Sequence, residues 1–365
     1  MNSRPQRLGG SLVRLPKGST VEPPREYEST VASDDVAEAC KRLLGSTARR
    51  VEHPGGRRRS VRVILNDRTV IVTQRQHPQR ALLEAKVLLA LGAQGAAVPR
   101  VLAFDGVWLI QEDLGPNRLS QTLPMVDEAD GEVLLAKAIA GLATAQRAGL
   151  ASGLNRRVIC IGGSKDWLLN LATMPERVSG FLHLPAPALP QERLIQHLRP
   201  QRPAFVKWDA RPANAVVRLD ASVAWFDWEH CGCRNPLDDI AWLLCDEYTP
   251  DWPEAEARLI ARFLPCFLNA SPPLAAHDYL MTFGALHSCV RLALILNKKA
   301  DGPWWDPQRC LDQDSVGVTL PMALRLCRRA ARWARQGSLT QELADWLDDV
   351  TKQLKPDGTA NARAP

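Results

Sequence analysis

The sequence predicts an α+β protein of two lobes, a small antiparallel sheet followed by a mostly helical body. Three observations predict it. The runs SVRVIL and TVIVTQ, at 60–65 and 69–74, are short, rich in β-branched residues and split by the turn pair Asn66-Asp67, which is a hairpin signature. Two further extended runs flank Asp105-Gly106 in VPRVLAFDGVWLIQEDLG. Beyond Gly115 the apolar residues recur mainly at helical spacing.

Taken in order, residues 1–33 are rich in Arg, Pro, Gly and Ser without a sustained period and read as a disordered arm. The first lobe then occupies 34–114. It opens with DDVAEACKRLLG, a short helix stopped by Gly45, followed by the first hairpin. In QRALLEAKVLLALGAQG, Leu82, Leu83, Val87, Leu88 and Leu91 follow helical spacing, and Gly92 and Gly95 mark the end. The second pair of extended runs completes a sheet of four or five strands.

The second lobe, 115–354, is carried by helical patterns at 131–146, 238–248, 253–268, 277–297 and 320–337. Its exception is FVKWDARPANAVVRLDASVAWFDWEH, which reads as short strands and loops between helices. LPAPALP, 184–190, is a turn between helices, and 355–365 forms a disordered tail.

With 365 residues and 45% apolar composition the chain can bury a large core. Its net charge of +6 is concentrated at the start, where residues 1–80 hold 16 Lys plus Arg against 8 Asp plus Glu. Acids are interleaved after residue 20 and no aromatic spacing accompanies the bases, which argues against nucleic acid as the partner. No run approaches the roughly 20 apolar residues of a membrane span, and the first residues lack the apolar centre of a signal peptide. Nine scattered cysteines fit reduced thiols, so a cytoplasmic location is expected. Cys231 and Cys233 lack the further ligands of a zinc site.

In VKWDARPANAVV, 206–217, Asp209, Arg211 and Asn214 stand at offsets of zero, two and five between short apolar runs. Asp227 follows in VAWFDWEHCG, and Asp239 in PLDDIAWLL. Together these elements resemble the small-molecule branch of the protein kinase-like fold, the aminoglycoside phosphotransferase and choline kinase-like family, over residues 46 to 335 or so. There HGDLHPGN is followed by a strand, IDFE, and PxxDLA.

The resemblance implies a two-lobed protein kinase-like fold and a small-molecule kinase using ATP and Mg²⁺, with the hydroxyl of a sugar, amino sugar or aminoglycoside as acceptor. It implies Asp209 as the catalytic base, Asn214 and Asp227 as magnesium ligands, and Asp239 as the brace of the catalytic loop. Carboxylates and an amide oxygen suit magnesium, and phosphoryl transfer needs positioning and charge more than covalent help. Arg211, where the family has a His, would neutralise charge on the transferred group.

HPGGRRRSVRVIL resembles the family's first hairpin, which implies Gly55, Gly56 and Ser60 against the ATP phosphates. Glu84 stands where the family's helix supplies a Glu that pairs with a strand cation. No Lys occurs on that strand, so Arg75, or Gln74 under a one-residue slip, takes the cation's place. LIQEDLGPN resembles the connector between lobes and implies Gln111 and Glu112, with Asp113, near adenine. His287 and Trp304-Trp305 are candidates for the acceptor pocket or for core packing. The acids Asp246, Glu247, Asp251, Glu254 and Glu256 would suit a cationic acceptor or form a solvated helix face.

Two departures stand out. The strand Lys is missing, and the family's His-Gly before the base is replaced by Lys207-Trp208. A catalytically silent nucleotide-binding pseudokinase, acting as an interaction module, is therefore the alternative expectation.

Overall fold

The computed structural model describes residues 31–53, 59–75, 77–313 and 315–355. The arm expected over 1–33 lies outside the described residues except for its last three, and the tail beyond Lys355 lies outside them altogether. Helix α1, Ser33–Leu44, ends as expected at Gly45, whose φ of 66° is left-handed and whose N–H bonds back to the Lys41 carbonyl at 3.0 Å. A side chain there would strain that conformation.

Strands β1 (Arg50–Glu52), β2 (Ser60–Ile64) and β3 (Thr69–Gln74) are followed by helix α2 (Pro78–Ala93), then β4 (Val101–Phe104) and β5 (Trp108–Glu112). All pairings are antiparallel, in the order β1-β2-β3-β5-β4. Strand period decides the two faces. Val61, Val63, Val70, Val72, Trp108 and Ile110 bury one face against Val36, Ala39 and Cys40 of α1. Leu109 on the other face joins α2 and the helical body in the main core.

The body runs through α3 (Leu119–Thr122), α4 (Glu128–Ala151), α5 (Lys165–Ala172), α6 (Met174–Leu182) and α7 (Gln191–Leu198). Short strands β6 (Ala204–Val206), β7 (Ala215–Val217), β8 (Val223–Trp225) and β9 (Gly232–Arg234) interrupt the helices where the sequence departs from helical spacing. They pair as two separate hairpin-like ladders, β6 with β9 and β7 with β8. Next come α8 (Asp238–Leu244), α9 (Pro253–Phe263), α10 (Pro273–Lys299), α11 (Pro307–Asp312), α12 (Leu320–Gln336) and α13 (Gln341–Leu354). The protein thus has a protein kinase-like architecture, with an antiparallel sheet lobe and a mostly helical lobe.

Helix α10 is long and apolar enough to cross a membrane by length and composition, with a mean hydropathy of 1.5 over its best window. That window is 89% buried, so its apolar surface is already spent on the core between α6, α8 and α12. Close packing there depends on Gly284. A Cβ at this position would lie 2.2 Å from the Trp333 ring and 3.0 Å from Cys245 Sγ. Gly284→Ala is expected to lower stability by about 1–3 kcal/mol through overpacking; an unchanged urea midpoint would show that α12 yields freely.

The acids of 246–256 do not form the solvated face that was one of the two expectations. Asp246, Glu247 and Glu256 are buried and face arginines. Arg291 grips Glu247 through two bonds of 2.8 and 2.6 Å, and Arg329 Nε reaches Glu256 at 2.7 Å. A buried charge this deep requires a partner, and these arginines lie on α10 and α12, some 44 and 73 residues away. Glu254 alone of the group is exposed.

Candidate active site

Strand β6 delivers the chain to Lys207, Trp208 and Asp209, and a single 3₁₀ turn, Pro212–Asn214, carries it into β7. The β7–β8 ladder pairs Ala215 with Trp225, and Phe226 N–H donates to the Asn214 carbonyl at 3.1 Å. This register brings Asp227 beside Asn214 and Asp209. Sequence spacing alone separates them; the hairpin joins them.

Trp208, Asp209 and Asp227 all have left-handed backbones, with φ of 52°, 54° and 60°. Asp tolerates this region, but a bulky Trp in it costs of order 1–3 kcal/mol and must be held by its surroundings. Asp239 does the holding. Fully buried, it accepts from Lys207 N–H and Trp208 N–H at 2.9 Å each, and from Gln146 Nε2 at 2.9 Å. The Trp208 ring lies between Trp167 and Trp242, with centroids at 5.8 and 5.3 Å.

Lys207 is 1% exposed. Its ammonium donates to the Asp227 carbonyl at 2.8 Å and the Asp209 carbonyl at 3.4 Å, and sits over the Trp225 and Trp228 rings. Burial pulls its pKa down, and the neighbouring carboxylates Asp227, Asp209 and Asp239 oppose that pull. It ties the two aspartate segments together through main-chain carbonyls.

The Asp209 carboxylate accepts from Arg211 Nε at 2.6 Å and from Asn214 Nδ2 at 2.8 Å. Burial would raise its pKa, but Arg211 and then Lys207 outweigh burial and hold it below the usual carboxylate range. Asn214 Nδ2 also donates to the Asp209 carbonyl at 3.0 Å. With the amide nitrogen so committed, no donor reaches Asn214 Oδ1 among the described residues.

Arg75, just past β3, is the cation of the cleft. It donates to Glu84 of α2 through Nε at 2.9 Å and Nη2 at 2.7 Å, to Asp227 Oδ1 at 2.9 Å and to Glu229 Oε1 at 2.7 Å. Gln74 remains in the sheet, paired with Trp108. Burial acts to raise the Asp227 pKa; Arg75, Lys207 and His230 overcome it and push it well below the usual range. Glu84 is fully buried, and its second oxygen accepts from Trp228 N–H at 3.1 Å. A carboxylate with no water around it needs this many partners.

Asn214 Oδ1 and the Asp227 carboxylate offer hard oxygen donors of the kind magnesium takes, whereas both Asp209 oxygens are engaged by Arg211 and Asn214. Two guanidinium groups stand against the aspartates, Arg75 at Asp227 and Arg211 at Asp209.

A model of the "Phosphotransferase enzyme family" matches residues 49–276, more than half of the chain. The chain belongs to this phosphotransferase family. Two solved structures agree in fold. The macrolide 2′-phosphotransferase MphH from Brachybacterium faecium, as apoenzyme, is 16% identical with a TM-score of 0.50, covering 78% of this chain and 98% of its own. APH(2")-IIia, solved with GDP and kanamycin, is 13% identical with a TM-score of 0.51, covering 74% of this chain and 94% of its own. Choline kinase LicA from Streptococcus pneumoniae is 14% identical with a TM-score of 0.47, over 77% and 95%. No curated protein sequence matches.

Within this phosphotransferase, the structure gathers Arg75, Glu84, Asp209, Arg211, Asn214, Asp227 and Asp239 into one network. Ser60 lies at the start of β2, its hydroxyl 2.9 Å from that of Thr73. Gly55 and Gly56 lie outside the described residues, as do Arg57 and Arg58. Gln111 and Glu112 close β5. The Gln111 side-chain oxygen is buried with no hydrogen-bond partner among the described residues, whereas Glu112 is bonded to Arg218 of the second lobe at 3.0 Å.

His287 is buried, with its ring 4.3 Å from that of Trp242, and burial lowers its pKa to about 3, so it is neutral. Trp304 and Trp305 pack at the edges of hydrophobic clusters, against Lys299 and against Lys298 and Arg309 respectively. Sequence reasoning missed Glu229 and Gln146, which act on residues 154 and 93 positions away and have no local pattern to mark them; Lys207 takes the structural part expected of it rather than that of the strand cation.

Proposed function

We propose that this chain transfers the terminal phosphoryl group of ATP, with Mg²⁺, to a hydroxyl of a small molecule of the sugar, amino sugar or aminoglycoside kind. The observation that carries the reading is the meeting of Asp209, Asn214 and Asp227 across one loop and one hairpin, with Asp239 locking the loop. Asp209 would accept the proton of the attacking hydroxyl. Its low pKa keeps it ionised and ready to accept, and Arg211 beside it would draw the phosphoryl oxygens.

Asn214 Oδ1 and the Asp227 carboxylate would hold the metal, and Gly55, Gly56, Ser60 and Arg75 the phosphates. Magnesium would supply charge neutralisation and alignment of the phosphates. Glu84 would keep Arg75 in the cleft, and the main chain of Gln111 to Asp113 would meet adenine. A cytoplasmic setting, proposed on nine unpaired cysteines, would provide both ATP and magnesium.

Thermal unfolding with ATP alone, Mg²⁺ alone and both tests the reading. A ligand that binds only the folded state adds about 2.7 kcal/mol at a hundredfold excess over Kd. The expected result is a clear rise in Tm that requires both, and its loss in Asp227→Asn. No rise under any condition would remove ATP as ligand. A rise without transfer to any of a panel of hydroxyl acceptors would favour the silent nucleotide-binding alternative, for which the crowding of Asp209 and Asp227 by arginines is the structural argument.

A further inference from the structure

Arg75 meets three carboxylates at once, and only two of them have a place in the reading above. Glu84 takes the Nε and Nη2 edge of the guanidinium, and Asp227 shares Nη2. Nη1, on the far side of the planar fork, goes to Glu229 at 2.7 Å. Glu229 is itself only 18% exposed in its side chain, and His230 Nε2 lies 3.8 Å from the same Glu229 oxygen.

We propose that Glu229 is a positioning residue, which holds the Arg75 guanidinium in the cleft when Asp227 leaves it for the metal. The inference rests on the phosphotransferase reading. Both Glu84 bonds end on a single oxygen, Oε2, so they leave the guanidinium free to pivot about that point. The Asp227 contact, made through Oδ1 alone, now prevents the pivot, but a divalent cation taking that oxygen would compete with Nη2 for it and loosen the contact. Glu229 supplies a second anchor on the opposite nitrogen, and so fixes the plane of the fork through the exchange.

The segment that carries it is tied down independently, since Trp228 N–H donates to Glu84 Oε1 at 3.1 Å. Arg75 and Glu84 belong to the sheet lobe, Asp227 and Glu229 to the helical lobe. The same contact therefore ties the lobes together at the metal.

The test is a double-mutant cycle read by equilibrium binding of ATP, with and without Mg²⁺, on wild type, Glu229→Gln, Arg75→Lys and the double variant. Supporting groups around a metal site commonly change affinity by about 10–100-fold. Glu229→Gln is expected to weaken Mg²⁺-dependent ATP binding by about tenfold and to leave Mg²⁺-free binding nearly unchanged. In the Arg75→Lys background the same change should matter less than about twofold, because a single ammonium cannot span Glu84 and Glu229.

Equal losses in both backgrounds would overturn the proposal, as would wild-type binding by Glu229→Gln or a loss of Tm with binding intact. If Glu229→Gln does not fold, Glu229→Asp, one methylene too short to reach Nη1, carries the same expectation. Absence of Mg²⁺-dependent ATP binding in the wild type would instead bring down the phosphotransferase reading, and this proposal with it.

Discussion

Replacing Asp209 by Asn is expected to lower acceptor-dependent transfer by about 10²- to 10⁴-fold, the usual worth of a positioned general base. Nucleotide binding should stay close to that of the wild type. The substitution keeps the shape of the side chain and one acceptor oxygen, so the Asn214 contact at 2.8 Å can survive. What it removes is the anion that Arg211 grips at 2.6 Å, and with it the proposed base. ADP release measured with an acceptor found by screening, alongside ATP affinity, separates the two effects. A variant that turns over like the wild type would exclude Asp209 as the base.

The second large effect is one of stability. Asp239→Ala is expected to cost about 2–6 kcal/mol, because it strands the buried N–H of Lys207 and the part-buried N–H of Trp208 at about 1–3 kcal/mol each. The loss falls on the residue least able to bear it, since Trp208 already holds a left-handed backbone. Asp239→Asn, which keeps one acceptor oxygen, should fall between. The urea midpoint gives the size of the loss, and a midpoint equal to that of the wild type would mean that the loop is held by the Trp167 and Trp242 rings instead. Transfer should fall in both variants, because Asp209 is the next residue along.

The replacement of His-Gly by Lys207-Trp208 is met in the structure by a different kind of support. The glycine's conformational freedom is gone, yet Trp208 takes the left-handed conformation because Asp239 bonds its N–H and two indole rings enclose its own. The buried Lys207 spans the carbonyls of both aspartate segments. The departure therefore alters what supports the loop, while Asp209, Asn214 and Asp227 still meet.

By itself the sequence determined what depends on near neighbours. The hairpin at 60–74, the helix after it, the long helices of the second lobe and the short strands around Asp209 were legible, because a period of two or 3.6 and a turn residue act within a few positions. The order of the motif residues was legible for the same reason. Helices α5 to α7, α11 and α13 were not singled out; α13 runs 14 residues while α8, which was read at 238–248, has only 7, so length alone did not decide which helices were legible.

Only the tertiary structure decided the charges. Arg75 was one of two candidates until the register of β3 left Gln74 in the sheet and put Arg75 beside Asp227 and Glu229, 152 and 154 residues on. Glu247 and Glu256 have the spacing of ordinary surface acids, and become buried because Arg291 and Arg329 reach them from α10 and α12. The physical reason is common to all of these. A backbone period is set locally, whereas a charge can be buried only where folding brings its counter-charge to meet it, and that meeting has no signature along the chain.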